Sequence, residues 1–402
     1  MLIKIHKTIL LGTALVAAST TSFSQALDTT NHVETKAPNS RYKPAFVGQT
    51  RIHGVKTSVP IEAIVINSDL KLPWGIHVLP DGRFLITGKS GTMQILKMDG
   101  TMDKQITGFP EVQFRGQGGL LDVNIDPDFI SNHMIYWDYA EPGTDGATLA
   151  IAKGNLSTDE TKLENVVVIY RATPRFNGDL QFGSRILFDK QGNLFVSTGE
   201  RSLIAIKAQD LGTTIGKVIH ITKDGKPVPN GPFANTPGAK PEIFAYGLRN
   251  PEGMAWNPVT NELWEDEFGP RGGDEINIIR AGNNYGWPLV TYGIDYSGKQ
   301  MYDGIQQKDG VTQPVYYWDP SISPSGITFY TGGMIPEWKN NLFVGGLGGA
   351  HIARLVIKNN KVVGEERLFK DKNERWRALV TGKDGALYGV TDNGRLYRIA
   401  KK

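Results

Sequence analysis

The stretch KQGNLFVSTG, Lys190–Gly199, decides the fold: a polar turn bearing Gly and Asn runs directly into a short apolar strand. The pattern recurs as PDGRFLITG from Pro80, NHMIYWDY from Asn132, VTNELWEDEFG from Val259, WKNNLFVGG from Trp338 and KDGALYGVTD from Lys383. With Phe84, Ile135, Leu194, Leu263, Leu342 and Leu387 taken as equivalent, successive copies lie 45 to 79 residues apart. Six units in about 355 residues give roughly one per 60, the content of a four-stranded blade with its loops. Helical periodicity is weak, and runs of Val, Ile, Tyr and Phe between Gly, Asn, Asp and Pro turns favour strands. The chain therefore reads as all-β, a six-bladed β-propeller. The uneven spacing reflects long insertions, and long loops in a compact domain more often serve function than structure.

The chain has 402 residues and no cysteine. Residues 1–26 read as a secretory signal: Lys4 and Lys7 precede the apolar run Thr8 to Ala18, and Ser22, Ser24 and Ala26 suit cleavage. An exported chain without disulfides must rely on its core, and the bacterial periplasm is the simplest compartment. Residues 27–45 are polar and aperiodic and read as a flexible leader, which leaves 46–402 for the propeller. Beyond the signal, no stretch approaches the about 18 apolar residues of a membrane span. The net charge of +3 is dispersed, with no basic stripe of the kind that tracks nucleic acid.

Residues 243–288 crowd carboxylates and glycines between short apolar strands. Asp266, Glu267, Asp274 and Glu275 bring hard oxygen ligands around Gly269-Pro270, where glycine lets main-chain carbonyls approach a cation such as Ca²⁺. Arg249-Asn250 offers a donor fork for a carboxylate or phosphate. Read from spacing alone, a metal site and a well-satisfied surface loop stand about even. The motifs YGLRNPEGM, GPRGGDEIN and NYGWP, in this order, resemble the soluble pyrroloquinoline quinone-dependent glucose/sorbosone dehydrogenase family, particularly its aldose sugar dehydrogenase branch. The likeness extends over most of the chain, through PWGIHVLPDGRFLITGKSG from Pro73, GQGGLLDVNIDPDF from Gly116, FGSRILFDKQGNLFVSTGE from Phe182, SISPSGITFYTG from Ser321 and RWRALVTGKDGALYGVTDNG from Arg375.

The resemblance implies a propeller whose long loops gather at one end of the central channel around a planar tricarboxylate quinone and a sugar. It carries cofactor contacts onto Gln117, Arg249, Asn250, Tyr296, Arg375 and Arg377, three arginines being able to balance three carboxylates. It carries calcium ligands onto the carbonyls of Gly269 and Pro270, and a structural calcium onto Glu275 and Tyr285. Asp266 and Asp274 are expected to orient the loop backbone or bind metal through water, and Trp256, Trp264 and Trp287 to pack.

One position departs from the pattern. Where the family has the His of H-F-G-[GS]-R-[LI] as general base, this chain has Gln181 before Phe182-Gly183-Ser184-Arg185-Ile186. An amide accepts no proton at neutral pH, and base catalysis is typically worth about 10²- to 10⁴-fold. His133 and His220 are distant in sequence, which leaves His351 and Glu200 as alternative bases. The expected activity is oxidation of an aldose at its anomeric carbon to a lactone, with electrons passed to an acceptor the sequence does not name. The competing readings are a calcium- and quinone-binding propeller without turnover and, with no motif behind it, a calcium-dependent lactonase-like hydrolase.

Overall fold

A computed structural model describes residues 32–402, so the expected export signal lies outside the described residues. Among the described residues, twenty-four strands form six four-stranded antiparallel sheets. The innermost strands are Pro73–Val78, Leu120–Ile125, Gly183–Phe188, Pro251–Trp256, Pro324–Phe329 and Trp376–Thr381. Each packs on the next and the last packs on the first, which closes the ring. The six-bladed propeller expected from the sequence is what forms. Each residue used to align the repeats begins or nearly begins the second strand of a blade, opposite the end of the inner strand: Val78 faces Phe84, Ile125 faces Ile135, Phe188 faces Leu194, Trp256 faces Leu263, Phe329 faces Leu342 and Thr381 faces Leu387. The polar turn of each repeat is thus the hairpin between the first two strands, and the apolar run is buried between neighbouring sheets.

The repeat pattern does not mark the closing strand. Ile61–Asn67 pairs antiparallel with Leu396–Lys401, Ala63 opposite Ile399, so the sixth blade takes its outer strand from the start of the domain. This clasp removes two free edges at once. From Glu34 onward the segment read as a flexible leader is pinned to the propeller. Glu34 pairs with Arg367 at 2.7 Å, and Asp319 accepts backbone N–H bonds from Asn39 and Ser40 at 2.8 and 3.0 Å. Among the described residues no helix is long and apolar enough to cross a membrane.

Near the axis every inner strand contributes one residue to a single layer: Trp74, Asp122, Arg185, Glu252, Ser325 and Arg377. Arg185 pairs with Asp122 at 2.9 Å and donates to the Glu252 carbonyl at 2.5 Å. Arg377 pairs with Glu252 at 2.6 Å, and Ser325 Oγ donates to the same carboxylate oxygen at 3.1 Å. The Arg185 guanidinium lies 4.3 Å from the Trp74 ring centre. Gly326 makes room for it, since a Cβ there would come within 2.7 Å of an Arg185 nitrogen. Beyond this layer, toward the ends of the inner strands, lies a cavity of about 380 Å³ lined by His77, Asn124, Leu187, Trp256, Thr328 and Thr381.

Arg377→Ala is expected to lower unfolding free energy by about 3–5 kcal/mol, because it strands the buried Glu252 carboxylate. Arg375→Ala, whose side chain is half exposed, should cost at most about 1 kcal/mol. Denaturant titration of both variants checks this, and equal losses would contradict the axial role of Arg377.

Candidate active site

The opposite end of the channel is built from the starts of the inner strands. Gln181 sits there in a left-handed conformation, φ 53°, with its side chain 95% buried. Its backbone N–H donates to Gln117 Oε1 at 2.6 Å, and its carbonyl accepts from the Arg201 N–H at 3.1 Å. Gly199 allows this approach: a Cβ at that position would lie 2.2 Å from the Gln181 carbonyl oxygen. The Thr-Gly-Glu turn after the second strand thereby brings Glu200 beside Gln181. Arg201 fixes the facing loop, donating to the carbonyls of Leu180 and Ala147 at 3.1 and 3.0 Å and to that of Gly178, while its guanidinium lies 3.7 Å from the Phe182 ring centre.

The neighbouring blade supplies Arg249. The Glu200 N–H donates to the Arg249 carbonyl at 2.9 Å, and Arg249 Nη1 donates to the Phe268 carbonyl at 3.0 Å. The Arg249 guanidinium stands 5.1 Å from the Trp287 ring centre. Asn250 is committed to the scaffold, its Oδ1 accepting from the Gly183 N–H and its Nδ2 donating to Glu252, both at 3.0 Å.

Four buried polar atoms of this group make no well-formed hydrogen bond: Gln181 Oε1, Glu200 Oε2, Arg249 Nε and Trp287 Nε1, although the Trp287 indole stands near enough to the Glu200 carboxyl to lower its pKa. Buried polar atoms are normally satisfied, so four orphans on contiguous residues mark a place where a ligand or water completes the bonding. Two of them are donors from a cation and an indole, and two are acceptors. Burial raises the Glu200 carboxyl to about 7, against the opposing pull of the Arg249 charge, the Ser202 N–H, the Trp287 indole and the Arg201 charge. Arg249 has no carboxylate within ion-pair distance among the described residues.

Arg375 and Arg377 lie at the sixth blade. Arg375 bonds Asp392 at 2.9 Å with half its surface free, whereas Arg377 is held by both Asp392 and Glu252. Lys89, not singled out from the sequence, joins them. Its ammonium donates to the Gly116 carbonyl at 2.9 Å, and its pKa is lowered by burial and then by the charge of Arg377. Tyr296 is not brought into the buried group: it stands 70% exposed beside the turn closed by Asp295 N–H and the Lys299 carbonyl. Tyr302, from the same loop, does come within reach of the Glu200 charge, which adds to burial in raising its pKa.

On the fourth blade Asp274 orients backbone, as expected: it accepts N–H bonds from Gly269, Ile322 and Ser323 at 2.8, 2.7 and 2.8 Å. Asp266 is buried with neither oxygen partnered. Glu267 faces Glu275 across the strand pair, and Glu265 faces Asn277 on the same side, all buried. None of these three glutamates makes an ion pair among the described residues, although the Arg249 charge acts on Glu267. Burial and the charge of Glu267 push Glu275 well above the usual carboxylate range. The Tyr285 hydroxyl donates to the Ile278 carbonyl at 2.6 Å and accepts from the Arg280 N–H at 2.8 Å, so its bonding is internal. Among the described residues no three acidic or histidine side chains converge as a metal cage. A cation here would draw on carbonyls such as those of Gly269 and Pro270. His351 is away from Gln181, buried on the fifth blade with Nδ1 2.7 Å from the Gly349 carbonyl oxygen and a pKa depressed by burial to about 4.

Comparison with known proteins follows this geometry. Residues 70–398 match the family model described as Glucose / Sorbosone dehydrogenase. The chain is 39% identical to aldose sugar dehydrogenase YliI of Escherichia coli, over 84% of this chain and 92% of that one. The crystal structure of the soluble aldose sugar dehydrogenase from Escherichia coli in its apo-form superposes with a TM-score of 0.82 at 38% identity, covering 85% of this chain and all of that one. The PQQ-bound form of aldose sugar dehydrogenase from Streptomyces coelicolor gives 0.70 at 25% identity, covering 86% of this chain and 99% of that one. With the propeller, the motifs and a match over most of its length in agreement, the chain belongs to the glucose/sorbosone dehydrogenase family of oxidoreductases.

Proposed function

We propose that this protein is a periplasmic quinoprotein that oxidises the anomeric hydroxyl of an aldose to the lactone, using pyrroloquinoline quinone with Ca²⁺. The observation that carries the reading is the set of four unpartnered atoms on Gln181, Glu200, Arg249 and Trp287. A related aldose sugar dehydrogenase is known in a PQQ-bound form, and the residues here fit such a ligand. Arg249, Arg375 and Lys89 offer positive charge to a tricarboxylate, and the Trp287 N–H offers a further donor. Gln117, bonded to the Gln181 backbone, ties the second blade to this rim, while Arg377 and Asn250 hold the floor. When bound, the quinone supplies a two-electron acceptor for hydride from a sugar carbon.

The acidic face of Glu265, Glu267 and Glu275 supports a cation. Three buried carboxylates that make no ion pair repel one another unless they are protonated or neutralised by a metal. Gly269, Pro270, Glu275 and Tyr285 remain the residues assigned to calcium, with Tyr285 contributing by its position rather than by a free hydroxyl. The observation favouring a binding protein without turnover is Gln181, since its amide orients a sugar hydroxyl but takes no proton.

Adding Ca²⁺ and pyrroloquinoline quinone to purified apo-protein, then following binding and aldose-dependent dye reduction, tests the reading. Saturable binding with turnover is expected. Binding without turnover across a broad sugar panel would leave the binding protein, and no binding would remove both. Arg249→Ala should weaken quinone binding by at least about 30-fold, the equivalent of about 2 kcal/mol for a desolvated charged partner. An unchanged dissociation constant would take Arg249 out of the site.

Calcium removal by a chelator should lower both the melting temperature and quinone occupancy, because a ligand that binds only the native state stabilises it. A preparation shown by elemental analysis to be metal-free that melts and binds quinone as before would overturn the cation assignment.

A further inference from the structure

We propose that Glu200 is the proton acceptor of this protein, taking the role that an imidazole at position 181 cannot fill. The inference rests on the dehydrogenase reading above and concerns a side chain whose Oε2, with the Trp287 indole nearby, makes no well-formed hydrogen bond and lies in the same group as Gln181 Oε1 and Arg249 Nε. Glu200 is 99% buried, and its backbone is fixed on one side by the Arg249 carbonyl at 2.9 Å. Its successor Arg201 is fixed to the Gln181 carbonyl on the other side at 3.1 Å. Both bonds hold it at the meeting point of the third and fourth blades, where the chain offers the amide of Gln181 to position a hydroxyl and a carboxylate to deprotonate it.

The other candidates are placed elsewhere. His351 is on the fifth blade with its Nδ1 against a carbonyl. His220 is bonded to Asp189 at 2.8 Å and stacked on Phe195. Glu267, the other carboxyl near Arg249, spends one oxygen on the Arg249 backbone N–H. The groups that act electrostatically on Glu200 or feel its charge are Arg249, Arg201, Glu267 and Tyr302. Burial outweighs the two arginines, and the resulting pKa of about 7 suits a base working near neutrality. The anomeric O–H bond breaks and its proton passes to Glu200 Oε2. The C–H bond electrons leave with their hydrogen as hydride to a two-electron quinone acceptor, and the C–O bond becomes the lactone carbonyl.

The test is Glu200→Gln, which keeps shape and removes basicity, compared with wild type after loading with quinone and Ca²⁺. The sugar-dependent rate is expected to fall by at least about 100-fold, within the usual range for a general base. Quinone affinity should stay within about threefold, since no cationic contact is lost. Wild-type kcat should rise with pH through about 7, and the residual rate of the variant should lack that limb. A readout independent of turnover comes from melting of the apo-proteins. Burial holds the native carboxyl up at about 7, above the ordinary carboxylate range of the unfolded chain, so the wild type loses stability as pH rises from that range through about 7. The glutamine variant does not, and its melting temperature should exceed that of wild type by a margin that opens between about pH 5 and pH 8. A variant that binds quinone and turns over within about threefold of wild type, with the same pH limb, overturns the proposal while leaving the dehydrogenase reading intact. Wild type that binds quinone without turnover overturns it as well. Wild type that binds no quinone removes the reading beneath it.

Discussion

The structure depends on the charged layer at its axis. Six sheets converge there, and a propeller of this size cannot fill the centre with aliphatic side chains from every inner strand without leaving a void or colliding. Arg185 and Arg377 solve this by reaching across the channel to Asp122 and Glu252, with Trp74 as a flat wall and Ser325 and Gly326 as the small side. Such buried pairs rarely add much net stability, but once made they fix register, because any slip leaves a charge unpaired in a dry interior. The layer also divides the channel. On one side lies a cavity of about 380 Å³, lined by the ends of the inner strands; on the other lie their starts, which carry the candidate chemistry.

The polar groups along the channel differ in how they are satisfied. Glu252 accepts from Arg377, Ser325 and Asn250, and Asp274 accepts three backbone N–H bonds. Around Gln181 the accounting stays open, with two donors and two acceptors unpaired in a confined space. Chemistry points to the near side, because an unpaired buried donor costs about 1–3 kcal/mol and is kept where a ligand or water repays it. The uncompensated glutamates of the fourth blade follow the same logic with charge in place of hydrogen bonds.

Much of this was legible in the sequence. The hairpin turn and second strand of each blade form a repeated local signal, so blade number and class could be read. The closing strand Ile61–Asn67 could not, since its partner Leu396–Lys401 is more than three hundred residues away and no local pattern joins them. Arg249 was found because an Arg-Asn-Pro run at a strand start is specific. Arg375 and Arg377 looked alike on paper and differ in the fold: one is half exposed, the other is built into the axis. Lys89 went unnoticed because a lysine after a strand is ordinary until Arg375 and Arg377 are seen beside it. Trp287 reads as packing and does pack, but its unpartnered N–H is visible only in three dimensions. Tyr296, whose place after NYGWP marks it in the sequence, stands 70% exposed on its loop.

The most direct measurement is a crystal structure of the protein grown with pyrroloquinoline quinone and Ca²⁺. The account predicts one quinone at the starts of the inner strands, with Arg249 Nε and Trp287 Nε1 newly hydrogen-bonded and Gln181 and Glu200 left facing the sugar side. Quinone density in the cavity beyond the Arg185–Glu252–Arg377 layer, or a ligand-bound structure in which those four atoms remain unpaired, would contradict it.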